Sequence, residues 1–405
     1  MGEWVYCEFG DLLAEPLRNG VSYPSSSRGS GVPMVNMKEI FLHDRIGDIE
    51  CELAPLNDRE MAAHSLEGGD LLFARQSLTY EGAGKCSIVM PVGRLMTWES
   101  HIIRARLNME VVAPAFYYYF FGSTSGRRLM ESIVQQVAAA GIKGSDLKRL
   151  AVPVPPLPEQ QAIAEVLGAL DDTIAANRKL AETAEGLLAA RFVTLGIDVE
   201  AEATVDQVPL GELIDFNPAT PKLQGDEPVY VDMQKLPTAG STIEEWERRA
   251  PKGGARFQNG DTLLARITPC LQNRKTGYVN FLDEGDVAVG STEFIVMRSK
   301  PGFPSELSYF MATSDRFRTY AIQHMIGTSG RQRVSAGALA DYLVAMPERQ
   351  ALAAFGDEAG PLFRSIKSVA NENRTLAATR DALLPALMSG RIRVKDAERT
   401  VSDVV

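Results

Sequence analysis

Pro153-Val-Pro-Pro-Leu-Pro-Glu-Gln-Gln-Ala-Ile-Ala-Glu-Val-Leu-Gly-Ala-Leu-Asp-Asp-Thr-Ile-Ala-Ala-Asn-Arg-Lys-Leu180, continuing to about Leu195, decides the fold. Prolines up to Pro158 forbid a helix upstream and allow one to start at or just after Pro158, where a missing N–H costs nothing. No further proline occurs until Pro209. Ile163, Leu167, Leu170, Ile174, Ala181, Ala184 and Leu188 recur in steps of three and four, with one polar break at Asn177. That narrow heptad seam predicts packing against another helix. A helix of roughly 37 residues would be about 55 Å long, a rod suited to act as a spacer.

The chain has 405 residues, enough for two or three domains with their own cores. Its 45% hydrophobic and 23% charged content is ordinary for a soluble globular protein. No apolar run approaches a membrane span, and Glu3, Glu8 and Asp11 argue against a signal peptide. Cys7, Cys51, Cys86 and Cys270 stand far apart, without a C-x-x-C pair, and read as reduced and structural in a cytoplasmic protein. A net charge of −10 weighs weakly against a stand-alone nucleic-acid binder but says nothing about local patches.

Self-comparison shows a two-fold repeat. Gly69-Asp-Leu-Leu-Phe-Ala-Arg75 returns as Gly260-Asp-Thr-Leu-Leu-Ala-Arg266, 191 positions later. Glu99–Arg106 pairs loosely with Ser291–Arg298, and Ser145–Pro155 with Gly337–Pro347, both at an offset of 192. Asn177-Arg-Lys-Leu180 matches Asn373-Arg-Thr-Leu376, and Leu187-Leu188 matches Leu383-Leu384. Landmarks in one order at a near-constant offset indicate duplication.

Each copy reads as a globular half followed by a long helix. The expected division is 1–155 for the first globular domain, 156–196 for its helix, 205–347 for the second domain and 348–395 for its helix. Strands are expected at 70–74, 86–91 and 100–105, and again at 262–267, 276–281 and 293–298. Helices are expected at 114–121, continued by 126–136, and near 305–323. Pro385 should bend or end the second rod early, and Ser389-Gly390 supplies a stop. The fold class is therefore α+β: two similar mixed α/β domains, each followed by a long helix, the helices packing as an antiparallel coiled coil with pseudo-two-fold symmetry. Asn177 and Asn373, at seam positions, are expected to form a register-fixing polar pair. Leu180, Leu187 and Phe192 are expected to face outward toward partner helices.

At Pro155-Pro-Leu-Pro-Glu-Gln-Gln-Ala-Ile-Ala-Glu-Val-Leu-Gly-Ala-Leu-Asp-Asp172, Asn177-Arg-Lys-Leu180 and Leu387-Met-Ser-Gly-Arg-Ile-Arg-Val394, the chain resembles the specificity subunits of type I restriction–modification systems. The resemblance spans the whole chain as target-recognition domain, helix, target-recognition domain, helix. It departs in the second copy, which keeps only Met346-Pro-Glu-Arg-Gln350 at the helix entry. The resemblance implies a non-catalytic subunit in which each recognition domain reads one half of a bipartite site on double-stranded DNA. The two helices would set the gap between half-sites. Two modification subunits would dock and methylate adenine with S-adenosylmethionine, so no cofactor is expected in this chain. Restriction (translocase/endonuclease) subunits join some such assemblies. Half-sites about one helical turn apart, ~34–36 Å, would lie on one face of the duplex.

Reading DNA needs side chains that reach base edges and cations for phosphates. The span 246–275 carries Arg248, Arg249, Lys252, Arg256, Arg266, Arg274 and Lys275 against only Glu247 and Asp261. The span 316–333 carries Arg316, Arg318, Arg331 and Arg333 with no carboxylate. Within these, the candidate contacts are Arg266, Gln272, Asn273, Arg274 and Lys275, and Ser329, Arg331, Gln332 and Arg333. In the first domain they are Arg28, Arg75, Gln76, Ser77, Lys85, Gln135, Gln136 and Lys143. Arg75 and Arg266 equally suit a shared structural role, such as pairing with a carboxylate. Six consecutive rings from Phe116 to Phe121 point all round a helix, so most must be core rather than a base-stacking platform.

Catalytic signatures are missing. Asn217-Pro-Ala-Thr220 lacks the second proline and aromatic ring of an amino-methyltransferase loop and reads as a turn. Gly82-Ala-Gly-Lys-Cys86 has Cys86 where a phosphate-binding loop needs Ser or Thr. The four histidines stand singly, and Asp171-Asp172 diverge by about 100° on a helix, as solvated or partner-facing charges would. Competing readings are an enzyme with an unrecognised site, a protein-binding scaffold, and the specificity subunit of another bipartite-site restriction or methylation system.

Overall fold

A computed structural model describes residues 4–136, 139–199, 207–223, 225–328 and 330–402. The chain divides into two compact units, residues 1–172 with 375–405, and residues 173–374. The long helices Leu157–Thr194 and Arg349–Met388 each contribute one segment to each unit.

In the first unit, Val5–Glu8 pairs antiparallel with Ala151–Val154. A five-stranded sheet runs in the order Arg18–Asn19, Ile102–Ala105, Leu71–Ala74, Cys86–Val89, Arg45–Ile46. Val32–Val35 lies between Glu52–Ala54 and Thr97–Trp98, and its pairing with Thr97–Trp98 is parallel. The second unit repeats this plan. Gln207–Pro209 pairs with Leu343–Ala345. Its main sheet runs Ile214–Phe216, Phe294–Ser299, Thr262–Ala265, Thr276–Tyr278. Val229–Val231 lies between Glu247–Arg248 and Ala288–Gly290, the latter pairing again parallel, and Ala255–Phe257 adds an edge strand.

The repeated Gly-Asp explains why those residues recur. Gly69 and Gly260 turn at φ of +94° and +89°, a region glycine enters without steric cost. Each following Asp is fully buried and held by a fork of two hydrogen bonds: Arg106 on Asp70 (2.8 and 2.8 Å) and Arg298 on Asp261 (2.6 and 2.7 Å). Each also caps its own turn, from the N–H of Glu67 or Gln258 at 2.8 Å.

The aromatic helix Pro114–Gly122 buries every ring except Tyr118 well inside the core. It ends at Ser123, whose hydroxyl caps a separate helix, Thr124–Glu131. The expected continuation to 136 is therefore broken: the hydroxyl offers the backbone an alternative partner, and Gln135–Gln136 form a strand. Leu307–Thr313 and Asp315–Gln323 are also separate helices, parting at Ser314, whose hydroxyl donates to Asp198 instead of capping.

Gln160 shows what the Pro-Leu-Pro-Glu-Gln-Gln entry does. Its buried amide accepts from the N–H of Ala113 (2.9 Å) and donates to the carbonyl of Pro155 (2.8 Å), tying the helix start to the aromatic helix. The seam residues Ile163, Leu167, Leu170, Ile174 and Leu188 are buried. In the first unit the helices meet where Arg380 donates to Asp171 at 2.7 Å. In the second, Asn177 donates to Asn373 at 3.0 Å, and Arg191 faces Glu358 at 3.3 Å. In these pairs one residue number rises as the other falls, so the packing is antiparallel.

Three expectations change. Asp171 is not solvated: it is buried, accepts from Tyr119 (2.7 Å) as well as Arg380, and Asp172 pairs with Arg45 (2.6 Å). Phe192 turns inward against Phe310 and Phe355, because its helix is already packed on the second unit's core there; Leu180 and Leu187 remain exposed. The second helix runs through Pro385 to Met388 and ends in a Schellman turn at Gly390 (φ +64°).

Candidate nucleic-acid interface

In the first unit, four candidate residues share one small sheet. Gln76–Ser77 follows the strand Leu71–Ala74 after the single residue Arg75 and pairs with Ala140–Gly141, which pairs in turn with Gln135–Gln136. Gln76, Gln135 and Gln136 are exposed amides, so the sheet carries a row of groups able both to donate and to accept. Arg75 braces its base: its guanidinium reaches the carbonyl of Ser100 (3.4 Å), and its own carbonyl accepts from Ile142 (3.0 Å). Lys143 is exposed one residue beyond. Arg28 and Lys85 are held elsewhere. Arg28 bonds Glu52 (2.7 Å) and the carbonyl of Tyr23, whereas Lys85 pairs with Asp44 (3.0 Å) and the carbonyl of Phe41.

The second unit has the same backbone and different side chains. Arg75 N–H donates to the carbonyl of His101 at 2.8 Å, and Arg266 N–H to that of Glu293 at 3.0 Å. Val334 N–H donates to Arg266 as Ile142 does to Arg75. Arg333 bridges both Ile267 and Ile326, occupying the place of the 140–141 strand. Here a charge cluster replaces the amide row. Arg333 grips Glu293 through Nε and Nη2 (2.7–3.0 Å), and Arg266 adds Nε at 3.2 Å. Arg333 and Arg266 hold the Glu293 carboxyl below its usual range.

Around this cluster lie Gln332, whose carbonyl takes the N–H of Thr268 (3.1 Å), and exposed Arg331, which has no ion pair among the described residues. Gln272 and Asn273 are exposed on the 268–275 loop, and Gln272 reaches the sulfur of Met325. Arg274, at φ +61°, pairs with Asp315 (2.7 Å). Lys275 instead bonds the carbonyls of Met233 and Gln234 and leaves the cluster. Ser329 lies outside the described residues.

Within the basic segments seen in sequence, Arg266, Arg274, Arg316 and Arg333 are paired with acids far along the chain, Glu293, Asp315 and Asp198, which a local window cannot see. Sequence reasoning passed over Glu293 and His101, although aligning 99–106 with 291–298 sets them at matching positions. Asn217, at φ +51°, closes the edge of the main sheet by accepting from the N–H of Val296 (2.9 Å), a structural turn. Among the described residues no group of His, Cys, Asp and Glu is arranged to hold a metal, and no helix is long and apolar enough to cross a membrane.

Residues 63–185 match the type I restriction modification DNA specificity domain. The chain is 31% identical over 174 residues to the type I restriction enzyme EcoKI specificity subunit of Escherichia coli K12, covering 41% of this chain and 36% of that protein. It is 24% identical over 187 residues to the putative type I restriction enzyme MjaX specificity subunit of Methanocaldococcus jannaschii, covering 44% and 42%. Each match spans less than half of the relative's length. In fold it is similar to the crystal structure of the type I restriction–modification S subunit from M. genitalium, with a TM-score of 0.58, 16% identity, and 95% and 96% of the two chains covered.

Proposed function

We propose, from this chain's similarity to the type I restriction modification DNA specificity domain and to type I specificity subunits, that it reads a bipartite site on double-stranded DNA without chemistry of its own. Residues 1–155 and 205–347 act as the two target-recognition domains, and the helices of 156–196 and 348–395 set the spacer. Modification subunits dock on the helices and supply S-adenosylmethionine chemistry; restriction subunits join where the complex also cuts. One observation carries the reading: a duplicated backbone presents amides and hydroxyls in one copy and guanidinium groups in the other. A shared scaffold with divergent polar side chains at one place suits recognition of two different half-sites, because base edges are distinguished by donor and acceptor pattern.

The test is to map methylated adenines genome-wide with and without this subunit, then with one helical turn inserted within 160–190. The expected result is a two-part motif that depends on the subunit. The insertion should change the spacer and leave both half-sites as they were. An insertion that altered a half-site instead would refute the ruler.

A further inference from the structure

We infer that Arg333 reads a guanine in the half-site of the second recognition domain, with Glu293 as the residue that positions it. This deepens the DNA-reading function proposed above and rests on it. The geometry is that of a braced fork. Arg333 is fixed at its backbone by reciprocal hydrogen bonds with Ile326, both 2.9 Å. Its side chain is 40% exposed, and Nε and Nη2 are anchored on Glu293. Nη1 gives one proton to the carbonyl of Arg331 at 3.3 Å. One proton on each terminal nitrogen is left without a protein acceptor among the described residues.

Two parallel N–H donors on a planar fork match the O6 and N7 acceptors of guanine in the major groove. The brace matters because a free arginine loses rotamer entropy on binding, whereas one already clamped loses little. Arg266, on the other side of Glu293, keeps the carboxylate charged and in place.

The duplication makes the inference specific to one domain. Matched backbone hydrogen bonds put His101 where Glu293 stands and Gly141 where Arg333 stands. The first domain therefore has neither the fork nor its brace at this place, and its half-site is read by other groups.

The experiment uses the full chain assembled with its modification subunits and a library of sites randomised in both half-sites, read by methylation. The wild type is expected to demand G·C at one position of the second half-site. R333A and R333K should both relax that position, the preference falling from roughly 10- to 100-fold to near none. E293A should do the same with Arg333 intact, and E293Q, which keeps one acceptor oxygen, should retain part of the preference. An unchanged first half-site in every variant shows that the complex still folds and assembles.

An unaltered motif in R333A overturns the inference. So does a uniform loss across sequences that R333K restores, the behaviour of a phosphate contact. Wild-type methylation without a two-part motif would overturn the parent reading, and this inference with it.

Discussion

Asp70 and Asp261 are repeat-matched carboxylates, each 0% exposed and each held by an arginine fork, yet their removal should not cost the same. In the second unit, Asp261 is the one carboxylate bonded to Arg298 among the described residues, and the Arg298 side chain is 21% exposed. Asp261→Ala strands that guanidinium and also frees the N–H of Gln258. Breaking a buried pair from one side costs about 3–5 kcal/mol. In the first unit, Arg106 keeps Glu67 (2.6 Å), Glu15 (3.0 Å) and the carbonyl of Ser65 (3.0 Å) when Asp70 is lost. Losing Asp70 likewise frees the N–H of Glu67, so the turn caps cancel between the two sites, and beyond them only the charged hydrogen bonds from Arg106 disappear, about 1.5–3 kcal/mol.

The difference, about 1.5–2 kcal/mol, is a factor of ten or more in the opening equilibrium. Native-state hydrogen exchange on the strands 71–74 and 262–265 measures each locally, without requiring the units to unfold together. Equal losses at the two sites, or a larger loss for Asp70→Ala, would refute the reasoning.

Other outcomes follow from the same contacts. Replacing both Asn177 and Asn373 by Val should raise thermal stability while loosening helix register, seen as broadened exchange kinetics along 173–194, because a half-buried amide pair at the seam fixes register at some expense in stability. The depressed Glu293 carboxyl stabilises the second unit above the ordinary value of 4.5, and that contribution is lost as pH falls through the lower folded value. Acid titration of unfolding should therefore show a low-pH limb that Glu293→Gln removes. Leu180→Glu with Leu187→Glu should change stability by less than about 0.5 kcal/mol, since both side chains are more than half exposed, while reducing self-association of the isolated chain in light scattering.

Much of this architecture is legible from periodicity. Proline at the entry, a three-four seam and the repeat of Gly-Asp and Asn-Arg at matching offsets fix two rods and two similar globular halves, because helix geometry and left-handed turns are local properties that side-chain pattern reports directly. Arg331 and Arg333 stand out as candidates because the span 316–333 carries cations and no carboxylate, which is also a local property. Tertiary structure alone decides which cations remain available: Arg266, Arg274 and Arg333 meet acids 27 to 41 positions away, and Asp171 is buried by Tyr119 and Arg380. Charge neutralisation acts through space over a few ångströms. Partners brought that close by a sheet or a helix pair leave no periodic trace along the chain.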